Sequence, residues 1–146
     1  MEINHDPTAG LNGLVGIEYD EAGPEREVLS LDIDEHHHQP YGLVHGGIYC
    51  TLVETAASMG AALSAMERGM VGAVGVSNST DFYRSHRTGR IRATATPVHR
   101  GRTQQVWQVD VTRVDDAALL ARGHVRNHLR RGRAPHHLYA LTKEPI

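Results

Sequence analysis

The pattern of apolar and polar residues changes period twice along the chain, and the changes divide it into two strands, one helix and four strands. Leu14 to Tyr19 and Glu27 to Ile33 are strand-like and are separated by the turn sequence Glu21-Ala-Gly-Pro-Glu25, which predicts an opening hairpin. His36 to Gly42 reads as a loop closed by Pro40 and Gly42. Ile48, Leu52, Met59, Leu63 and Met66 then recur at spacings of three, four and seven, so a helix from Gly46 to Glu67 is expected, with these residues as its apolar stripe. Its other face, Gly47, Cys50, Thr51, Glu54, Ser58 and Ala61, is small apart from Glu54. From Met70 onward the period is that of strands: Val71 to Phe82, Arg90 to Val98, Gln104 to Val114 and Leu119 to Leu129. Alternation is clearest where Trp107, Val109 and Val111 interleave with Gln108, Asp110 and Thr112, as in a meander with one buried face. The predicted class is α+β, an antiparallel sheet wrapping a single long helix.

A chain of 146 residues with 40% hydrophobic content suits one domain with a modest core. Residues 1–12 are polar and expected to be poorly ordered, residues 13–130 form the domain, and residues 131–146, with two prolines and no period, read as a C-terminal tail. Neither a basic start followed by an apolar run nor an uncharged apolar stretch of spanning length occurs, so no signal peptide and no membrane association are expected. The single cysteine, Cys50, has no internal disulfide partner and reads as a small buried hydrophobe in a reducing compartment. A cytoplasmic protein is the expectation.

The formal net charge of −2 conceals a strong division: residues 1–83 carry 13 acidic and 2 basic side chains, residues 84–146 carry 4 and 13. The basic half is almost entirely arginine, whose planar fork suits phosphate groups, so an anionic ligand is indicated. Poor aromatic interleaving, with Tyr83, Trp107 and Tyr139 far apart, and no nucleic-acid-binding signature argue against nucleic acid or another polyanion as partner. Eleven histidines, including the run His36 to His38, raise the question of metal. Consecutive residues point in different directions, and His124 and His128 on one strand would stand about 13 Å apart at about 3.3 Å per residue, so no metal site is expected.

Glu54 is the only carboxylate between Glu35 and Glu67. A charge in an otherwise apolar helix is costly unless paired or hydrogen-bonded, which makes it the first candidate for chemistry.

The string from Gln39 to Ser58, Gln-Pro-Tyr-Gly-Leu-Val-His-Gly-Gly-Ile-Tyr-Cys-Thr-Leu-Val-Glu-Thr-Ala-Ala-Ser, resembles the active-site signature of hotdog-fold acyl-CoA thioesterases, in the branch with the phenylacetate-degradation, 4-hydroxybenzoyl-CoA and dihydroxynaphthoyl-CoA enzymes. Asp81-Phe-Tyr-Arg84, Gly89-Arg-Ile-Arg-Ala93 and the segment from His99 to Val109 also look like this family's later strands. The resemblance implies a hotdog fold, a curved antiparallel sheet around a central helix, with two subunits joining their sheets and dimers pairing into a homotetramer. It implies that Glu54 is the catalytic carboxylate, that the Gly46 N–H donates to the thioester carbonyl, and that His45, Gln39 and Ser58 surround them. The acyl-CoA would be the substrate, and no separate cofactor is implied. A non-hydrolytic acyl-CoA-binding protein or a dehydratase-like relative is the alternative, which the spacing from His45-Gly-Gly to Glu54 fits less well.

Thioester hydrolysis needs a polarised carbonyl and a nucleophile. Unpaired N–H groups at Gly46 and Gly47, at the positive end of the helix, suit the first, and such a donor is worth about 2.7–4 kcal/mol in the transition state. Glu54, as direct nucleophile or as general base, supplies the second. The two lie about 12 Å apart along one helix at about 1.5 Å per residue, so they are expected to meet across a subunit boundary. Arg84, Arg100 and Arg102 are candidates for the coenzyme A phosphates, and Tyr49, Met59 and Phe82 for the acyl pocket.

Overall fold

A computed structural model of the protein describes residues 6–132. The elements in chain order are α1 (Leu11–Val15), β1 (Glu18–Glu21), β2 (Glu27–Ile33), a 3-10 turn (Glu35–His37), α2 (Gly46–Glu67), β3 (Gly72–Phe82), β4 (Gly89–Arg100), β5 (Gln104–Arg113) and β6 (Leu119–Arg130). Six strands form one antiparallel sheet in the order β1-β2-β4-β5-β6-β3. The chain leaves β2 near one edge, passes through α2 and enters β3 at the opposite edge, so the helix crosses the concave face on the way. Of the predicted tail, Arg131 and Gly132 belong to the described residues and the rest lies outside them, as do residues 1–5.

Period-two alternation sets which side chains meet the helix. Leu29, Ala93, Val111 and Ala121 are cross-strand neighbours in one row, and Trp107 and Val125 belong to another. All six are fully buried. Against them α2 presents Tyr49, Leu52, Val53, Ala56, Ala57, Gly60, Ala61, Ser64 and Ala65. This corrects the predicted stripe: Leu52 belongs to it, whereas Ile48, Met59, Leu63 and Met66 are only half-buried and flank the contact. The reason is proximity. A Cβ at Gly60 would lie 2.6 Å from the Trp107 ring, so the helix approaches the sheet closely enough that small residues form its inner face.

The opening hairpin is present, with Glu18 opposite Ser30, but its first strand begins later than predicted. Leu14 and Val15 belong to α1, which Gly16 ends in the left-handed region at φ 90° with its N–H bonded to Asn12 O at 3.0 Å. Leu14 is 86% exposed, so its apolar side chain was no evidence for a buried strand. Each of the three consecutive histidines serves the loop before α2. His37 Nδ1 accepts from the Asp34 N–H and its Nε2–H donates to Val15 O, His36 bonds Asp34, and the His38 Nε2–H donates to Arg87 O. Among the described residues no group of three or more His, Cys, Asp or Glu side chains could hold a metal ion, and no helix is long and apolar enough to cross a membrane.

Candidate active site

His45 starts α2. Its side chain accepts from the Gly47 N–H at 2.8 Å, which caps the helix and places the ring proton on Nε2. Gly47 is therefore not the free donor expected of it. The Gly46 N–H has no partner among the described residues and remains available at the positive end of a six-turn helix. A Cβ on Gly46 would lie 2.6 Å from the Phe82 ring, so glycine is needed there for Phe82 to cover the helix start.

A cleft of about 210 Å3 opens at this end, lined by Gln39, Gly46, Tyr49, Phe82, Tyr83 and Arg84 among others. Tyr49 and Phe82 stack at 5.6 Å between ring centroids, tilted by 37°. Gln39 is half-buried, and its side-chain oxygen accepts from the Tyr41 N–H, which leaves its amide N–H groups as the free donors. The Arg84 guanidinium has no partner among the described residues. Burial pushes the Tyr49 hydroxyl above its ordinary pKa.

Two turns further along α2, Glu54 is half-buried against β3. Its carboxylate accepts from Ser58 Oγ at 3.1 Å on one oxygen and from Asn78 Nδ2 at 3.2 Å on the other. Asn78 is oriented in turn by the Thr80 hydroxyl at 2.7 Å and also donates to Cys50 O at 3.2 Å. No cation pairs with Glu54 among the described residues. Ser58 turns toward the carboxylate, whereas Thr51 makes the usual helical back-bond to Gly47 O at 2.8 Å. A Cβ at Gly75 would fall 1.9 Å from Glu54 Oε1, so that position of β3 has to be bare for the carboxylate to lie there. The register of β3 against β6 shifts between Gly75 and Ser77, a bulge beside the carboxylate.

One chain thus gathers Gln39, Gly46, Tyr49, Phe82 and Arg84 at the helix start, and Glu54 and Ser58 at a second place along the helix. It does not bring the two groups together. Met59 lies outside the cleft, next to Ser58. Arg100 and Arg102 stand apart from the cleft as well. Arg100 pairs with Glu25 at 3.5 Å, and the β4–β5 turn that carries Arg102 is tied to the far end of α2 by a 2.9 Å bond from Arg68 to Gly101 O. That end is about 32 Å from Gly46 at about 1.5 Å per residue, so within one chain neither arginine reaches the cleft.

Sequence reasoning passed over Gly75, Asn78 and Asn127. For Asn127 a signal existed: it shares the inward parity of Ala121, Val125 and Leu129 on β6, and a polar residue in an apolar register calls for a partner. Asn78 and Gly75 lie on a strand without clean alternation and carry no such mark.

The Thioesterase superfamily model matches residues 41–119 of the chain. The Mycobacterium tuberculosis protein Rv1847 is 41% identical over 133 residues, which are 86% of this chain and 94% of that protein, and its structure superposes with a TM-score of 0.80 over 84% of this chain and 97% of its own. The 1,4-dihydroxy-2-naphthoyl-CoA hydrolase of Listeria monocytogenes is 36% identical over 70% of this chain and 82% of its own. The thioesterase HI1161 of Haemophilus influenzae, 28% identical, has a TM-score of 0.78 over 84% of both chains. A matched signature that contains both Gly46 and Glu54, on a six-stranded antiparallel sheet wrapping one long helix, places this chain in the thioesterase superfamily, as a thioester hydrolase of the hotdog fold.

Proposed function

We propose that the protein hydrolyses an aromatic or medium-chain acyl-CoA, releasing the free acid and coenzyme A, at a site built from two copies of the chain. The observation that carries the reading is the Glu54 carboxylate, held by two neutral donors and, among the described residues, by no cation, on the helix face beside an open strand edge. A structural carboxylate in a half-buried helix would be neutralised by a basic partner. Here both oxygens are oriented and the charge is left for use.

β3 is an edge strand of 11 residues, and Val74 and Val76 on it are 44% and 51% exposed. It carries no lysine or proline to blunt pairing, so a second copy is the natural cover. Twofold pairing of β3 edges lays the two α2 helices antiparallel and side by side, with Gly46 of one facing Glu54 of the other, and gives two equivalent sites per dimer. The thioester carbonyl then accepts from the Gly46 N–H, with the Gln39 amide and His45 Nε2–H nearby as further donors. Glu54 attacks it directly or through an activated water, and Ser58 and Asn78 keep the carboxylate aimed. The C–S bond breaks and the coenzyme A thiolate leaves and takes up a proton; on the direct route water then cleaves the mixed anhydride formed on Glu54, which gives the free acid and restores the carboxylate.

The aromatic lining of the cleft, Tyr49, Phe82 and Tyr83, supports an aromatic acyl group, as does the naphthoyl-CoA hydrolase among the relatives. Arg84 is the cationic side chain of that cleft and the candidate for a phosphate of coenzyme A.

The direct test is Glu54→Gln, which keeps the volume and one of the two acceptor oxygens while removing the base and nucleophile. Release of free thiol from benzoyl-CoA and from medium-chain acyl-CoAs is expected to fall at least ~10³-fold with oligomer mass and thermal midpoint unchanged. Turnover within tenfold of the parent would sink the assignment.

A further inference from the structure

Asn127 is fully buried on β6, opposite Gly75 of β3. Its Oδ1 lies 3.0 Å from Ser58 Oγ, while its Nδ2 is buried with no hydrogen-bond partner among the described residues. Ser58 Oγ is in turn 3.1 Å from Glu54 Oε1. With the oxygen on that side, one serine hydroxyl would have to donate to two acceptors, yet it has a single proton. Meanwhile two amide protons would be buried without use, an arrangement that costs the desolvation of the group.

A half-turn of the amide, whose two orientations occupy the same atoms, removes the conflict at the serine and puts one amide proton to use. Asn127 Nδ2 then donates to a lone pair of Ser58 Oγ, and the serine proton is committed to Glu54. We propose that Asn127 is a positioning residue for the carboxylate: it forms the first link of a directed chain, Asn127 N–H to Ser58 O–H to Glu54 Oε1, that fixes which way the Ser58 hydroxyl points. Without it, Ser58 has the alternative that helical serines usually take, donating to the carbonyl one turn back. Glu54 would then lose one of its two donors and gain a second rotamer. A chain of bonds in one direction also polarises each member, so the bond that reaches Glu54 is stronger than an isolated one.

The inference rests on Glu54 being the group that acts on the thioester. Its test is a cycle of four proteins: parent, Asn127→Leu, Ser58→Ala and the double variant. Leucine has the branched shape of asparagine without donor or acceptor. A hydrogen bond to a charged group underlies the expectation that each single variant loses about tenfold or more in kcat with KM within about twofold. The diagnostic result is non-additivity: in the Ser58→Ala background, Asn127→Leu should cost no more than about twofold further. A purely structural Asn127 would impose the same loss in both backgrounds, and that outcome overturns the chain. If Asn127→Leu fails to fold, Ser58→Ala decides alone, since alanine is a better helix former than serine. A parent-like kcat there overturns the proposal, and a tenfold loss at constant KM supports it. Glu54→Gln separates the two levels. If it is inactive while the cycle is additive, only Asn127's role falls; if it is active, the role of Glu54 falls first.

Discussion

Gly75 offers the sharpest test of the site, because an alanine there adds a single methyl group at a known place. The added Cβ would stand 1.9 Å from Glu54 Oε1 and 2.9 Å from the carboxyl carbon. Backbone of an edge strand on one side and a helix on the other leave the carboxylate as the group that yields, and it has to retreat by more than about 1 Å to reach ordinary contact distance. Such a retreat breaks the bonds from Ser58 and Asn78, which at 3.1 and 3.2 Å have little slack. A misplacement of about 1 Å costs on the order of 10²-fold in rate, or about 2.7 kcal/mol of barrier. Stability should change little, because Gly75 is exposed in the chain and its φ is not left-handed, so alanine fits the strand at least as well as glycine. The measurement is steady-state thiol release alongside thermal unfolding and oligomer mass. The expected result is kcat lowered by about 10²-fold, KM within a few-fold, and a thermal midpoint within about 2 °C. A Gly75→Ala enzyme with kcat within threefold of the parent would refute the argument that β3 is bare in order to seat the carboxylate.

Other consequences concern the core and the open edge. Glu27 is fully buried on the Leu29 and Leu31 face of β2, one of its oxygens has no partner among the described residues, and burial raises its pKa to about 8. Because the folded state holds this proton between pH 4.5 and about 8 and the unfolded chain does not, stability is lost as pH rises through that window. Glu27→Gln should therefore melt about 5 °C or more above the parent at pH 9 and converge with it near pH 4.5, and parallel melting curves at both pH values would contradict this. Gly60→Ala drives a methyl to 2.6 Å from Trp107. The overpacking cost of about 1–3 kcal/mol exceeds the helix gain of about 1 kcal/mol, so the denaturant midpoint should drop. Replacing Val74 and Val76 together by Glu should shift the mass from dimer to monomer and abolish turnover although Glu54 is untouched; a monomer with parent activity would remove the two-chain site.

What the sequence by itself determined is everything that depends on local periodicity and adjacent residues. The bounds of α2 and of β2 match the pattern, as do β3 to β6 to within two residues; for α2 and for β4 to β6 the reason is that helical spacing or alternation over seven or more residues leaves little choice of conformation, whereas β3 is bounded by its neighbouring turns. Glu54 was identifiable for the same reason, as a charge out of place in its pattern. The tertiary structure decided what alternation cannot encode. That the inner face of α2 is small rather than Leu- and Met-rich follows from Trp107 on a strand some fifty residues away. That Arg100 and Arg102 stand far from Arg84 follows from the opposite ends of the helix to which their turns attach. That the Gly47 N–H is capped while that of Gly46 has no partner among the described residues depends on the rotamer of His45. The surroundings of Glu54 are the clearest case: Gly75, Asn78 and Asn127 arrive from two strands paired by register, and hydrogen bonds of about 3 Å across such separations are set only once the sheet has closed over the helix.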